Sequence, residues 1–231
     1  MTISEIERQA LLLSLQVALA AVLLMLPLAV ALAWTLARGR FHGKAVVEAI
    51  VNLPLVLPPV VIGYALLVTF GREGPLGRWL HDTLGLQFVF TFRGAVLAAA
   101  VMSLPLMVRA VRQALEAVDR GLEAAARTLG ASRARVFATI TLPLMAPGLL
   151  SGAVLGFAAS LGEFGATITF VSNVPGQTQT LPLAIYSALQ QPGGDRAAAR
   201  LVMWSVLLAV AALGIAQWCH RRVQHWLGQA A

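Results

Sequence analysis

Charge is what this 231-residue chain has least of. Only 12% of its residues are Asp, Glu, Lys or Arg, while 58% are hydrophobic; soluble domains usually carry about 25% charged residues. That scarcity excludes an ordinary water-soluble domain and makes the chain an integral membrane protein. The single cysteine, Cys219, excludes an internal disulfide and any cysteine-rich metal site. It stands in the last apolar run beside a basic end, a packing position. No Gly-x-x-x-x-Gly-Lys-Ser/Thr phosphate loop occurs, so whatever this chain pumps must draw its energy from another chain. No internal repeat is evident, which argues against a self-sufficient carrier built of paired halves. Residues 1–10 are acidic rather than basic and the first apolar run is too long for a cleavable signal, so none is expected.

What charge there is leans positive, with 17 Lys and Arg against 10 Asp and Glu. A basic balance can mark a nucleic-acid partner. Here the arginines lie between apolar runs rather than in one patch, so no nucleic acid is expected and the bilayer is the partner. Five segments reach the roughly 20 apolar residues that a crossing needs: approximately 11–37, 45–70, 94–112, 144–171 and 200–219. The first is long enough to tilt or to project beyond the hydrocarbon. Leu181–Leu189 is apolar but too short, and reads as a re-entrant or interfacial helix, with a sixth span as the alternative. The expected fold is all-α, a polytopic transmembrane helix bundle of five spans forming one domain over 1–231. Five spans put the termini on opposite sides. With the N-terminus outside, eleven of the 17 basic residues fall on the inner side and six on the outer. The positive-inside rule then places the 113–143 loop and the C-terminus in the cytoplasm.

That loop has more organisation than a connector needs. Leu122, Ala125, Ala126 and Leu129 recur at three- and four-residue spacing, giving a narrow apolar stripe on a helix. Glu123 lies in the first turn, where the helix dipole favours an anion, and Arg127 follows at the spacing of an i,i+4 pair. Gly130 is placed to end the helix in a left-handed conformation. Ser132 can cap a second helix carrying Val136, Phe137 and Ile140, with Pro143 expected to break it. Small residues along the stripe let another protein approach closely. The same pattern fits an amphipathic helix lying on lipid headgroups with its arginines on phosphates, and periodicity alone does not decide between them.

Within the spans, prolines and a carboxylate stand out. The second span carries Pro54, Pro58 and Pro59, and the third carries Pro105 after Ser103. Broken backbone at membrane depth is tolerated where protein or a water-filled cavity satisfies it, so these mark a pathway or tight helix contacts. Glu163 is the acidic residue deep inside an expected span, Glu48 lying only in the first turn of its own, and such a group is a functional candidate by default. Its sign is wrong for gripping an anion; it would pair with a donor, accept backbone hydrogen bonds or sit at a gate. Ser160, Thr167 and Thr169 on the same segment suit handing along a tetrahedral oxyanion, or equally bond back to their own helix carbonyls. No catalytic constellation is present: the four histidines have no metal-ligand spacing, and one intramembrane Glu cannot form a two-carboxylate pair. No enzyme activity and no metal site are expected.

The loop resembles the "EAA" loop of type I ABC importer permeases, which reads Glu-Ala-Ala, three residues, Gly, nine residues, Ile-x-Leu-Pro. Ala125, Ala126, Gly130, Ile140, Leu142 and Pro143 fall in register. Ala124 stands where that family usually has Glu, and Glu123 sits one residue early. The runs Leu53–Tyr64, Arg93–Arg109 and Gly162–Asn173 are similar to the molybdate, tungstate and sulfate branch of the family. The resemblance implies a type I permease fold and an inner-membrane subunit that moves molybdate from periplasm to cytoplasm by alternating access. It implies coupling through Glu123, Ala124, Ala125, Ala126, Gly130, Ile140, Leu142 and Pro143. The candidate pathway or gate residues are Pro58, Pro59, Ser103, Pro105, Ser160, Glu163, Thr167 and Thr169. Implied partners are a second copy of the chain, two cytoplasmic ABC ATPase subunits carrying ATP and Mg, and a periplasmic or lipid-anchored molybdate-binding protein. This chain itself would hold no cofactor. Alternatives are a sulfate or tungstate permease, or an ATP-independent anion channel or carrier using Glu163.

Overall fold

The computed structural model describes residues 4–226; the ends of the domain expected over 1–231 lie outside the described residues. All described elements are helical. In chain order they are α1 (Glu5–Arg38), α2 (Lys44–Val56), α3 (Pro59–Phe70), α4 (Pro75–Leu84), α5 (Phe92–Ala117), α6 (Arg120–Thr128), α7 (Arg133–Val136), a π-helical turn (Phe137–Thr141), α8 (Leu142–Leu161), α9 (Gly165–Val171), α10 (Leu181–Leu189) and α11 (Asp195–Trp226). Among the described residues four helices are long and apolar enough to cross a bilayer: α1, α5, the continuous run Arg133–Leu161, and Asp195–Cys219 of α11. A fifth crossing among these residues is available to α2 and α3 taken together.

Local sequence sets several of these boundaries. Ser4 and Glu7 form a reciprocal capping box at the start of α1. From there α1 runs 34 residues, about 51 Å at 1.5 Å per residue, well beyond the roughly 30 Å of hydrocarbon. Thr91 caps α5 through the Gly94 amide. At the centre of the bundle α5 packs between α1 and α8, and it is the most buried of the long helices; α11 is the least. Close approach rests on small residues. Ala95, Ala98, Ala99 and Ala100 of α5 are fully buried or nearly so. Gly148, Gly152 and Gly156, four apart on α8, lie against Ala114, Val111 and Met107 of α5. Where lipid is as apolar as leucine, such stripes let backbones meet and gain dispersion contacts.

Two expected spans are broken. Between α2 and α3 the axis bends by 114°, because Pro58 and Pro59 have no N–H to continue the helix and Leu57 closes α2 on the Leu53 carbonyl. Even so, the pair advances along α5: Glu48 meets Arg112, Asn52 meets Arg109, and Phe70 packs on Phe88 just before α5 begins. That progression is what one broken span gives. The stretch 144–171, expected as a single crossing, is also two pieces. Its first helix begins earlier, at Arg133, ends at Leu161, and is followed by the separate short helix α9. Leu181–Leu189 forms α10, nine residues or about 14 Å long. It packs beside α1 and α11, with the Leu181 amide donating to Ser14 Oγ at 2.7 Å, and is too short to be a sixth span.

Candidate functional site

The 113–143 loop stands at one end of the bundle, where α1 and α5 terminate. Asp119 accepts from the Gly121 amide and starts α6. At the other end Gly130 adopts φ +88°, its amide bonds the Arg127 carbonyl, and the Ala131 amide bonds Ala126. This paired 5→2 and 6→1 closure needs a left-handed residue, which glycine adopts without a Cβ penalty. Ser132 then accepts from the Arg135 amide and opens α7. Gly130 and Ser132 therefore do what the sequence predicts of them.

Nothing on α6 is buried. Leu129 is 89% exposed and Leu122 50%, and Ala124, Ala125 and Arg127 are exposed beside them. The apolar stripe read from the sequence is real and, among the described residues, largely uncovered, with only Ala126 half-buried. Ala126, Ile140 and Pro143 are half-buried at its base, while Leu142 stays exposed.

Two expectations for the loop are corrected. Glu123 does not pair with Arg127. Its Oε1 accepts instead from Arg38 Nη2 at 3.1 Å, at the end of α1, and from Thr141 Oγ1 at 2.7 Å, in the π turn. An exposed i,i+4 pair is worth only a few tenths of a kcal/mol. Two charge-assisted bonds in a half-buried niche hold the carboxylate better. Nor does Pro143 break the helix. The turn before it widens so that the Leu142 amide reaches the Phe137 carbonyl, five residues back. The wider turn makes room for the proline ring and omits the bond the proline cannot make, so the helix runs on to Leu161.

The two broken spans meet at their breaks. A β-carbon at Gly165, first residue of α9, would lie 2.8 Å from Pro59 Cβ, first residue of α3; one at Gly63 would lie 2.6 Å from the Ala166 carbonyl oxygen and 2.8 Å from Thr169 Cβ. Helices α3 and α9 therefore run side by side in the same sense from adjacent breaks. Glu163 sits in the second break, nearly buried, and its Oε1 accepts from the Ala166 amide at 2.7 Å. Of the roles open to it, this is backbone acceptance: the carboxylate satisfies an N-terminal amide of α9 and meets the positive end of that helix.

The remaining pathway candidates divide. Pro58 and Pro59 are exposed at the first break. Thr167 is buried within α9, and Thr169 donates to the Gly165 carbonyl at 2.8 Å. Ser103 is fully buried in α5 and donates to the Ala100 carbonyl, two residues before the buried, helix-internal Pro105. For Ser103 and Thr169 the hydroxyl is spent on its own helix. Ser160 differs, being buried with no partner for its Oγ among the described residues. The structure thus gathers Pro58, Pro59, Glu163, Thr167 and Thr169 around the breaks, and sets Ser103 and Pro105 within α5.

The sequence reading missed two features. The tandem glycine stripe of α8 was visible as Gly at every fourth position from 148 to 156. The polar knot joining α9 to α10 was not. In it, Thr178 Oγ1 accepts from the Val174 amide and donates to the Ser172 carbonyl, and Asn173 Nδ2 donates to Ser187 Oγ. Its partners are brought together only by the fold.

Comparison with known proteins adds to this geometry. A family model described as the binding-protein-dependent transport system inner membrane component matches residues 25–225. The chain is 59% identical over 221 residues to the molybdenum transport system permease protein ModB of Escherichia coli K12, covering 96% of each. It is 55% identical to the protein of the same name from Haemophilus influenzae, over 96% of this chain and 97% of that one. A bacterial alginate ABC transporter, solved with a periplasmic protein bound to an alginate pentasaccharide, matches 95% of this chain and 80% of its own. The TM-score there is 0.76 at 20% identity, a likeness of fold.

Proposed function

This chain belongs to the inner membrane components of binding-protein-dependent transport systems, and from that premise we propose that it is the permease subunit of an ATP-driven molybdate importer. The molybdenum transport permeases of Escherichia coli and Haemophilus influenzae, alike over nearly the whole length, support the substrate. The observation that carries the coupling is the exposed face of α6, with Leu129 89% and Leu122 50% open at the end of the bundle that collects Arg120, Arg127, Arg133 and Arg135. A soluble ATPase that covers this face buries leucines which otherwise stand in water.

In this reading the α6 end is cytoplasmic, the N-terminus of α1 is periplasmic, and a second copy of the chain completes the translocation path. Two ATPase subunits, holding ATP and Mg, dock one on each loop through Ala124, Ala125, Arg127, Leu129 and Gly130. A molybdate-binding protein delivers the anion at the opposite end. Closure of the ATPase pair draws the two α6 helices together, and the bundles rock between inward- and outward-facing arrangements. The paired breaks of α2–α3 and α8–α9 bring short helices and a glycine contact together, and in this reading they are where such rocking opens and closes a path. No step of chemistry falls on this chain. Co-purification of the ATPase with the wild-type chain but not with Leu129→Arg tests the docking face directly.

A further inference from the structure

We propose that Glu123 is a positioning residue rather than a docking residue: it ties α6 to α1 and to the π turn, so that displacement of α6 reaches the long helices as one movement. The inference rests on the docking reading above and assigns the one carboxylate of α6 a place inside it.

The geometry is specific. A single carboxylate oxygen, Oε1, accepts from Arg38 of α1 and from Thr141 of the π turn. The Arg38 guanidinium also reaches the Leu115 carbonyl in the last turn of α5 at 3.4 Å. Three long helices and the docking helix therefore converge on one ion pair. Its side chains are 14% and 18% exposed, and Thr141 is buried, so water competes weakly for the pair. The helix α6 buries no residue of its own, so this tie is its firmest attachment to the bundle. Among the described residues Arg38 Nε is buried with no partner; without Glu123, the cation would be left without its anion, the costly way to break a buried pair. The position of Thr141 matters too. A π turn has a hydrogen-bond register unlike the α-helix on either side of it, and the hydroxyl bond fixes that turn to α6. Because Glu123 points inward, the surface offered to an ATPase is made of Ala124, Ala125, Arg127 and Leu129 instead.

The test uses the full importer in proteoliposomes: this chain, its ATPase and its binding protein, with Glu123→Gln, Thr141→Val and the charge-swapped pair Arg38→Glu/Glu123→Arg. The tie predicts that Glu123→Gln retains the ATPase at wild-type stoichiometry while molybdate moved per ATP falls about fivefold or more, the size of an ordinary coupling term. Thr141→Val, which removes one hydroxyl and no charge, gives a smaller fall in the same ratio. The swapped pair recovers the ratio to within about twofold if the two charges act on each other. Loss of the ATPase from Glu123→Gln, or an unchanged ratio of molybdate to ATP, overturns the proposal. A second measurement needs no partner. Melting of the chain alone in nanodiscs, for Arg38→Gln, Glu123→Gln and the double variant, gives non-additive shifts if the tie exists and additive shifts if it does not. Should the wild-type chain hold no ATPase, the docking reading fails, and the melting cycle still decides the tie.

Discussion

Gly165 and Pro59 touch: a β-carbon on the first would stand 2.8 Å from the β-carbon of the second. Each is the first residue of a helix that follows a break in a span, so the contact joins the two interruptions of the bundle. A rigid proline ring on one side leaves the other residue no choice but glycine.

Gly165→Ala must therefore push α9 from α3, and Gly63→Ala must do so against backbone atoms of Ala166. Overpacking of this kind costs about 1–3 kcal/mol. Both variants should melt lower in nanodiscs and transport less, with Gly63→Ala the worse because backbone cannot rotate away. Unchanged melting of both would mean that the breaks do not meet.

The glycine stripe of α8 predicts an order of effects. At Gly148 a β-carbon runs into the Ala114 methyl group of α5, which has no rotamer to escape into; at Gly156 it meets the Met107 thioether at 2.6 Å. Methionine is unbranched and adapts. Gly148→Ala should destabilise the chain by about 1–3 kcal/mol and Gly156→Ala by clearly less, compared by thermal unfolding in the same lipid. The reverse order would put the α5–α8 packing in error.

Glu163 should behave as a helix cap. Glu163→Gln keeps an oxygen for the Ala166 amide, now 2.7 Å from the carboxylate; Glu163→Ala keeps none. Loss of such a cap costs about 1–2 kcal/mol, so alanine should lower stability and uptake well below glutamine, and Cys219→Ala should change neither. If glutamine is as damaging as alanine, the negative charge itself is used.

At the loop, Gly130→Pro cannot adopt the φ of +88° that closes α6. ATP-driven uptake should be lost while insertion into the membrane is retained. Leu129→Arg, at a residue 89% exposed, should leave stability within about 0.5 kcal/mol and yet release the ATPase. Normal uptake by Gly130→Pro would remove the loop from the coupling path.

How far the sequence could be read follows from the range of each interaction. Gly130 and Ser132 act on backbone groups within five residues, Gly130 on carbonyls and Ser132 on an amide, and both were legible. The all-helical bundle and the apolar runs able to cross were legible from run length, but the breaks within 45–70 and 144–171 were not. Glu123 was not: its partner Arg38 lies 85 residues away, and the local rule offered Arg127 instead. Pro143 misled because a proline normally ends a helix, whereas here the turn before it widened and the helix continued. The break at Gly162–Phe164 hid inside an apolar run, since hydropathy does not register a carboxylate that caps a new helix. For the pathway the limit is the hydroxyls: a Ser or Thr reads the same in sequence whether, like Thr169, it bonds its own helix or, like Ser160, it is left unpartnered.

The most direct measurement is uptake of radiolabelled molybdate by proteoliposomes holding this chain with its ATPase and binding protein, with and without ATP and against excess sulfate. An ATP-driven molybdate importer gives uptake that requires ATP and that sulfate does not compete away. Uptake that persists without ATP or without the ATPase would contradict the account, and competition by sulfate would move the substrate.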